Sequence, residues 1–318
     1  MTRVGYLGPE GTFTHQAAAE WARAGAGTQA ATGELVALPT VTDVFAGVAS
    51  GAQERGVVAI ENTVEGYVVP SLDAIVGSPD VVAVDEVVLD VSFDAFVRDG
   101  RGELVEVSAH PHGLAQCQGF VARTGLRAVP AASNAAACRD VTDRQVALGP
   151  AICGPLYGLQ TYERAVEDFH GARTRFLVLA PRSVAPSVLS PARGTAVTWR
   201  TMLAVTPVVT GPGVLARITR TFGERAVNMS SLITRPLKAV EGTYVFVVTL
   251  DGAPWAPTVR DALGDLLRAG DSLKTLGVMP TRGELDESVH ADVDAAHVPV
   301  AGVDASSSAT VLERGLLW

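Results

Sequence analysis

The chain is poor in aromatic residues, in cysteine, in positive charge and in long apolar runs, and each shortage excludes something. Aromatics are 6% of the 318 residues, so Ala and Val carry most of an apolar fraction that still reaches 47%. That fraction can build cores and excludes an intrinsically disordered chain. No stretch approaches the roughly 20 apolar residues of a membrane helix. The opening MTRVGYLGPEGTF has a basic residue but no apolar stretch of signal-peptide length behind it. The three cysteines, Cys117, Cys138 and Cys153, fit no zinc spacing, and their odd count suits a reducing compartment. The expected compartment is the cytoplasm. Lys and Arg number 25 against 34 Asp and Glu, a formal net charge of -9. A general nucleic-acid binder needs the opposite balance, whereas an anionic small molecule needs only a local Arg.

From the start to about Leu179, short β-rich runs alternate with Ala-rich segments. The runs are Val4–Leu7, Val57–Ile60, Val81–Val84, Val91–Val97, Leu104–His110, Val146–Leu148 and Arg175–Ala180. Helical candidates lie at His15–Ala24, Val41–Ala49, Gly113–Arg123 and Ser133–Val141. This alternation predicts an α/β fold with mostly parallel sheet over residues 1–182, with ligands bound beyond the carboxyl ends of strands. Residues 183–199 are rich in Pro, Ser and small residues and read as a linker. Residues 200–280 then read as strand, helix at Val214–Phe222, strands at Val227–Arg235 and Tyr244–Leu250, helix around Val259–Leu267, and strand at Leu273–Met279. That β-α-β-β-α-β order is ferredoxin-like. In residues 281–318 the periodicity fails and Asp, Glu, Ala and Ser are frequent, which predicts an acidic, mobile tail.

Polar residues interrupt the first pattern in a few places. Gly8 and Gly11 in LGPEGTF permit a tight turn with close approach to a ligand. Thr12 or Thr14 is placed to cap the next helix, whose N-terminal amides favour an anion. An ordinary strand-to-helix turn is the alternative. Glu61, Asn62 and Thr63 cluster at a strand end, where polar groups line a site or cap the next segment. Thr174 and Arg175 lead into a strongly apolar strand; the Arg fork suits a carboxylate, or else it is a surface residue. His110 and His112 suggest a metal pair, but the intervening Pro111 and the lack of a nearby carboxylate argue against one. His15 and His170 read as helix-surface or turn residues.

Taken in order, several stretches resemble the prephenate dehydratase family: Tyr6–Phe13 (YLGPEGTF), Val57–Asp73 (VVAIENTVEGYVVPSLD), Ala109–Cys117 (AHPHGLAQC), Ala132–Val141 (ASNAAACRDV), Tyr157–Leu159 (YGL) and Thr174–Leu179 (TRFLVL). Residues 200–280 resemble an ACT domain, an amino-acid-sensing module often fused to that enzyme. The resemblance covers about Arg3 to Pro280. It implies a two-lobed, periplasmic-binding-protein-like catalytic domain, crossed twice by the chain, with the segment around Thr174 returning to the first lobe. A ferredoxin-like βαββαβ ACT domain would follow. The implied activity is decarboxylating dehydration of prephenate to phenylpyruvate, in phenylalanine biosynthesis, without cofactor or metal. By resemblance Thr174 is the proton donor, Arg175 anchors a carboxylate, Phe176 keeps the cleft dry, and Glu61, Asn62 and Thr63 orient the substrate. Gly11, Thr12, Phe13, Ser133 and Asn134 would complete substrate binding. Gly213, Val214, Leu215, Arg235 and Pro236 would hold an amino-acid effector. Paired ACT sheets would make the protein a homodimer or homotetramer.

The chain also departs from the family. Gly171, Ala172 and Arg173 stand where an Asn is common before Thr-Arg-Phe, Tyr67 follows Gly66 where a small residue is usual, and Thr63 replaces Ser. Ile233 replaces an acidic residue of the effector site, and Thr210 and Gly211 precede Pro212 where Asn is usual. These differences imply weakened or altered phenylalanine feedback and a reshaped substrate preference. Arogenate dehydration, a prephenate-decarboxylase-like activity and a non-catalytic aromatic amino-acid sensor are the alternatives.

Overall fold

In a computed structural model of the chain, residues 2–24, 33–236, 244–283 and 285 are described. The tail expected over 281–318 lies almost wholly outside them. The first lobe opens with β1 (Arg3–Leu7), α1 (Phe13–Ala24), β2 (Glu34–Leu38), α2 (Val41–Ala49), β3 (Arg55–Asn62), β4 (Gly66–Tyr67), α3 (Val69–Gly77) and β5 (Val81–Asp90). The chain then crosses to a second lobe: β6 (Asp94–Val97), β7 (Glu106–Ala109), α4 (Pro111–Gln116), α5 (Gln118–Thr124), β8 (Arg127–Pro130), α6 (Asn134–Arg139), β9 (Gln145–Gly149), α7 (Cys153–Tyr157) and β10 (Gln160–Glu163). It returns with β11 (Arg173–Pro181) and a short α8 (Ala185–Leu189). The last part is β12 (Trp199–Thr206), α9 (Val214–Glu224), β13 (Met229–Pro236), β14 (Tyr244–Asp251), α10 (Pro257–Arg268) and β15 (Ser272–Pro280), the β-α-β-β-α-β order.

Two sheets result. The second lobe has five strands in the order β10-β6-β9-β7-β8. The other sheet has ten strands, in the order β13-β14-β12-β15-β5-β11-β3-β1-β2 with β4 beside β3. The expectation of mostly parallel sheet needs correcting. β1 runs parallel to β2 and β3, but β11 comes back from the second lobe antiparallel to both its neighbours, β3 and β5. A returning strand enters from the far end, so its direction is set by the crossing.

The βαββαβ part shares this sheet. β15 lies parallel to β5 and meets it at Gly277 opposite Ala83. A Cβ on Gly277 would lie 2.8 Å from the Ala83 Cβ, so the two strands meet where a side chain is missing. One apolar core spans both parts: Leu72 and Ile75 of α3 share it with Met202, Ala204, Val245 and Val247. The expected helix over Gly113–Arg123 is interrupted at Cys117, whose φ of -126° and ψ of 33° separate α4 from α5. None of the described helices is long and apolar enough to cross a membrane.

Candidate active site

β11 and β3 bring the two polar segments together. Their register sets Thr174 opposite Asn62 and Arg175 opposite Glu61. Neighbouring residues of a strand point to opposite faces. Thr174 and Phe176 accordingly line a cavity of about 460 Å³ where the lobes meet, whereas Arg175 does not. First-lobe residues Phe13, Asn62 and Tyr67 join them, with Phe93, His110, His112, Gln116 and Asn134 facing from the other side. The volume lies within the range of small-molecule sites.

The Thr174 hydroxyl is held in this wall by a side-chain hydrogen bond. Its Oγ1 accepts a hydrogen bond from Asn62 Nδ2 at 2.8 Å. The Asn62 amide is oriented by the backbone, because its Oδ1 accepts from the N–H groups of Val64 (2.8 Å) and Glu65 (2.9 Å). With a donor already on its oxygen, the hydroxyl must direct its own proton to another acceptor. Phe13 and Phe93 meet edge to face, ring centroids 5.4 Å apart, and with Phe176 make part of the wall apolar.

The opposite wall carries neutral donors. His110 Nδ1 accepts from the His112 N–H at 3.2 Å, which leaves the proton of a neutral ring on Nε2. Burial, aided by His112, lowers the His110 pKa and favours that neutral form. Asn134 Oδ1 accepts from the His110 N–H at 2.9 Å, leaving the Asn134 NH₂ for another partner. Gly113 permits this packing: a Cβ there would lie 2.5 Å from Asn134 Oδ1. Gln116 Nε2 reaches Glu65 Oε1 across the cleft at 3.3 Å.

Other expected site residues are placed elsewhere. The Arg175 guanidinium, expected to anchor a substrate carboxylate, instead meets Glu61 Oε2 at 3.0 Å and Glu86 Oε2 at 3.3 Å. Strand alternation puts this pair on the other side of the sheet from Thr174, so Glu61 and Arg175 are corrected from substrate contacts to supports. Thr63 accepts from the Arg173 N–H at 2.9 Å and fastens the start of β11. Thr12 caps α1 by accepting from the His15 N–H at 3.2 Å, and the Gly11 N–H donates to His15 Nδ1 at 3.0 Å. Ser133 caps α6 by accepting from the Ala136 N–H. None of Gly11, Thr12, Thr63 and Ser133 lines the cavity. His15, expected at a surface or turn, is half-buried and stacks on Tyr6 with centroids 4.9 Å apart. Among the described residues no group of three or more His, Cys, Asp or Glu is arranged to hold a metal ion.

The chain matches the family described as prephenate dehydratase over residues 4–184. It belongs to the prephenate dehydratase family. A prephenate dehydratase of Amycolatopsis methanolica is 34% identical over 283 residues, covering 87% of this chain and 88% of the relative. One from Mycobacterium marinum is 35% identical over 292 residues, covering 88% and 89%. Among solved structures, the prephenate dehydratase of Arthrobacter aurescens in complex with L-Phe superposes with a TM-score of 0.74 at 27% identity, covering 88% of this chain and 90% of that one. GqqA, a quorum-quenching acylase, has a TM-score of 0.75 at 24% identity, covering 88% and 98%, and shares the fold.

Within this family member, Phe93, His110, His112 and Gln116 are among the cleft residues that residue-by-residue reading missed as site lining. The signal was present: His110 directly follows β7, and polar side chains beyond a strand's carboxyl end belong to the crevice. A second cavity, about 260 Å³, lies in the βαββαβ part. Gly213, Val214 and Leu215 line it with Thr210, Thr234, Tyr244 and Phe246. Arg235 and Pro236 do not. Thr234 faces that cavity, so its neighbours Ile233 and Arg235 take the other face. Ile233 packs on the core shared with α3, and Arg235 Nε meets Asp73 Oδ1 at 3.0 Å. Arg235 is therefore corrected from an effector contact to a contact between the two parts.

Proposed function

We propose that this chain converts prephenate to phenylpyruvate, with Thr174 as the acid. Prephenate carries a ring carboxylate, a pyruvyl side chain ending in a second carboxylate, and a hydroxyl on the far ring carbon. As the bond to the ring carboxylate breaks, its electron pair enters the ring and the carbon–oxygen bond at the hydroxyl breaks. The departing oxygen takes the Thr174 proton and leaves as water. Thr174 regains a proton from solvent, so one proton is consumed for each carbon dioxide and water released. A Thr hydroxyl is a weak acid in water. It serves here because the leaving oxygen grows basic as it departs and because Asn62 donates to the Thr oxygen that loses its proton.

The walls fit the substrate's two halves. Phe13, Phe93 and Phe176 suit a ring that becomes aromatic. His110 Nε2–H, Asn134 and Gln116 offer neutral donors for the carboxylates. An Arg clamped on the departing carboxylate would stabilise the ground state and oppose its loss, so an Arg175 held by Glu61 and Glu86 suits the reaction. The observation that carries the assignment is the Asn62–Thr174 hydrogen bond at the cavity wall.

The second cavity is the proposed amino-acid effector site of an ACT domain spanning 200–280, after a catalytic domain at 1–182 and a connection at 183–199. The L-Phe complex of the Arthrobacter relative supports an effector role for the family, and the uncharged lining of this cavity points to weakened phenylalanine binding in this chain. β13 ends the strand order and is available for sheet pairing between copies, which supports a homodimer or homotetramer. Three buried, free cysteines suit a cytoplasmic protein.

The test is turnover by the purified chain. Phenylpyruvate formed from prephenate supports the reading. Prephenate consumed without phenylpyruvate would make the chain a decarboxylase, and phenylalanine formed from arogenate alone would move the substrate. Absence of turnover with intact aromatic amino-acid binding would favour a sensor.

A further inference from the structure

Behind Thr174, the sheet carries charge where a covered sheet ordinarily carries aliphatic side chains. Arg175 Nη1 meets Glu61 Oε2 at 3.0 Å, and its Nε lies 3.3 Å from Glu86 Oε2. Glu86, on β5, also receives Arg200 Nη1 of β12 at 2.7 Å and the Arg282 N–H at 3.0 Å. The side chains of Glu86 and Arg200 are 0% and 3% exposed. The carboxylate side of this network continues to Tyr67, which sits opposite Glu61 in the β3–β4 pairing and whose hydroxyl donates to Ser231 Oγ of β13 at 2.6 Å. Burial pushes the Tyr67 phenol up to about 12, so it stays a donor across the working pH range.

Among the described residues the network leaves the catalytic part at Arg200 and Ser231, which belong to the βαββαβ part, and at the Arg282 N–H just after β15. Its near end is one residue from the chemistry on each strand: Glu61 precedes Asn62, and Arg175 follows Thr174. The pair that activates the hydroxyl and the ion pair behind it occupy successive rungs of one ladder. A displacement of Glu61 relative to Arg175 must therefore alter the Asn62–Thr174 separation. Buried ion pairs add little net stability compared with apolar packing, and their best-attested use is to fix a register. Tyr67 also lines the cleft cavity, so it touches both the network and the substrate space.

We propose that Tyr67 and Ser231 are positioning residues, whose hydrogen bond holds the Glu61–Arg175 pair in register and so lets the βαββαβ part set the rate of the Thr174 step. This rests on the assignment of Thr174 as the acid. The link is between residues 164 positions apart in sequence, and it exists because a Tyr stands at position 67 and a Ser at 231.

The test uses the full chain and the variants Tyr67→Phe, Ser231→Ala and the double variant, with prephenate as substrate. Each single change removes the same hydrogen bond, so each should lower kcat about 2- to 10-fold while KM stays within about twofold. The double variant should be no slower than the slower single one, because the bond can be lost only once. Single variants with wild-type kcat, or a double variant whose losses multiply, would overturn the proposal; a stability role alone would lower the melting temperature and leave kcat in place. If the wild type does not turn over prephenate, the functional assignment fails and amide exchange still tests the coupling. Ser231→Ala should then speed exchange in peptides covering 59–67 and 172–177. Unchanged exchange in those peptides would overturn it.

Discussion

Replacing Thr174 by Val removes one hydroxyl and leaves a side chain of the same shape. Two consequences follow, and they differ in size. Asn62 Nδ2 loses its acceptor in a wall where Thr174 is only 8% exposed, which costs about 1 kcal/mol of stability. A domain stable by roughly 5–15 kcal/mol remains folded after that loss. On the proposed assignment the leaving hydroxyl loses its proton donor, which should lower kcat by about 10²- to 10⁴-fold. At about 1.4 kcal/mol per factor of ten, that is roughly 3–5 kcal/mol of barrier. Because the donor acts mainly as the bond breaks, KM should stay within a few-fold. Thr174→Ser keeps the hydroxyl but loses the branch that restricts χ1, so its kcat should fall by less than about tenfold. Initial rates of phenylpyruvate formation, with thermal unfolding recorded on the same samples, separate the two effects. A Val variant within about threefold of the wild-type kcat would refute Thr174 as the acid.

Gly113→Ala would place a methyl 2.5 Å from Asn134 Oδ1, so Asn134 must move and the His110 strand end with it; the expected outcome is a raised KM for prephenate with a smaller change in melting temperature. Asp271 receives two hydrogen bonds from Arg217, each at 2.7 Å, and one from the Val208 N–H at 3.1 Å. The bonds from Arg217 hold its carboxyl below the usual carboxylate range against the opposing effect of burial. Its stabilisation is therefore complete above about pH 4, the ordinary Asp value, and is lost as pH falls through the lowered folded value. Asp271→Asn should cost about 1.5–3 kcal/mol at pH 7, with the difference from wild type shrinking in acid; equal melting temperatures at pH 7 would contradict this. L-Phe should bind the full chain more weakly than about 1 mM by calorimetry, because no charged side chain lines the 260 Å³ cavity and Ile233 and Arg235 are turned to the shared core; micromolar binding would refute it. Gly277→Val should cost about 1–3 kcal/mol by forcing β15 from β5, visible as a lower denaturant midpoint.

Much of this molecule was legible before the structure. The period-2 runs and Gly-punctuated helices located most elements, and the βαββαβ order was read directly from apolar spacing in 200–280. The family motifs marked the two strand ends that meet at Asn62 and Thr174. What the sequence withheld was which face each neighbour takes. Arg175 follows Thr174, and a carboxylate-binding Arg beside a catalytic hydroxyl is a natural inference. Whether a strand residue faces the cleft depends on register with strands far away in the sequence, here those carrying Glu61 and Glu86. Ile233, Thr234 and Arg235 repeat the lesson: only Thr234 reaches the second cavity. β2 was missed because Glu34–Leu38 is short and half-exposed, with no strong alternation to announce it. The Tyr67–Ser231 bond left no local trace, since a Tyr after Gly66 reads equally well as a bulky cleft residue.

The joined sheet has a consequence for dissecting the protein. Cutting the chain after residue 182 would not release an intact catalytic half. It would strip β15 from β5, bare the backbone of Val81–Val84, uncover the apolar faces of Leu72 and Ile75, and leave Glu86 without Arg200. An uncovered, Val-rich edge is a template for stacking copies of itself. The truncated piece would be expected to precipitate on expression, and a failure to find activity in it would say nothing about where the chemistry resides.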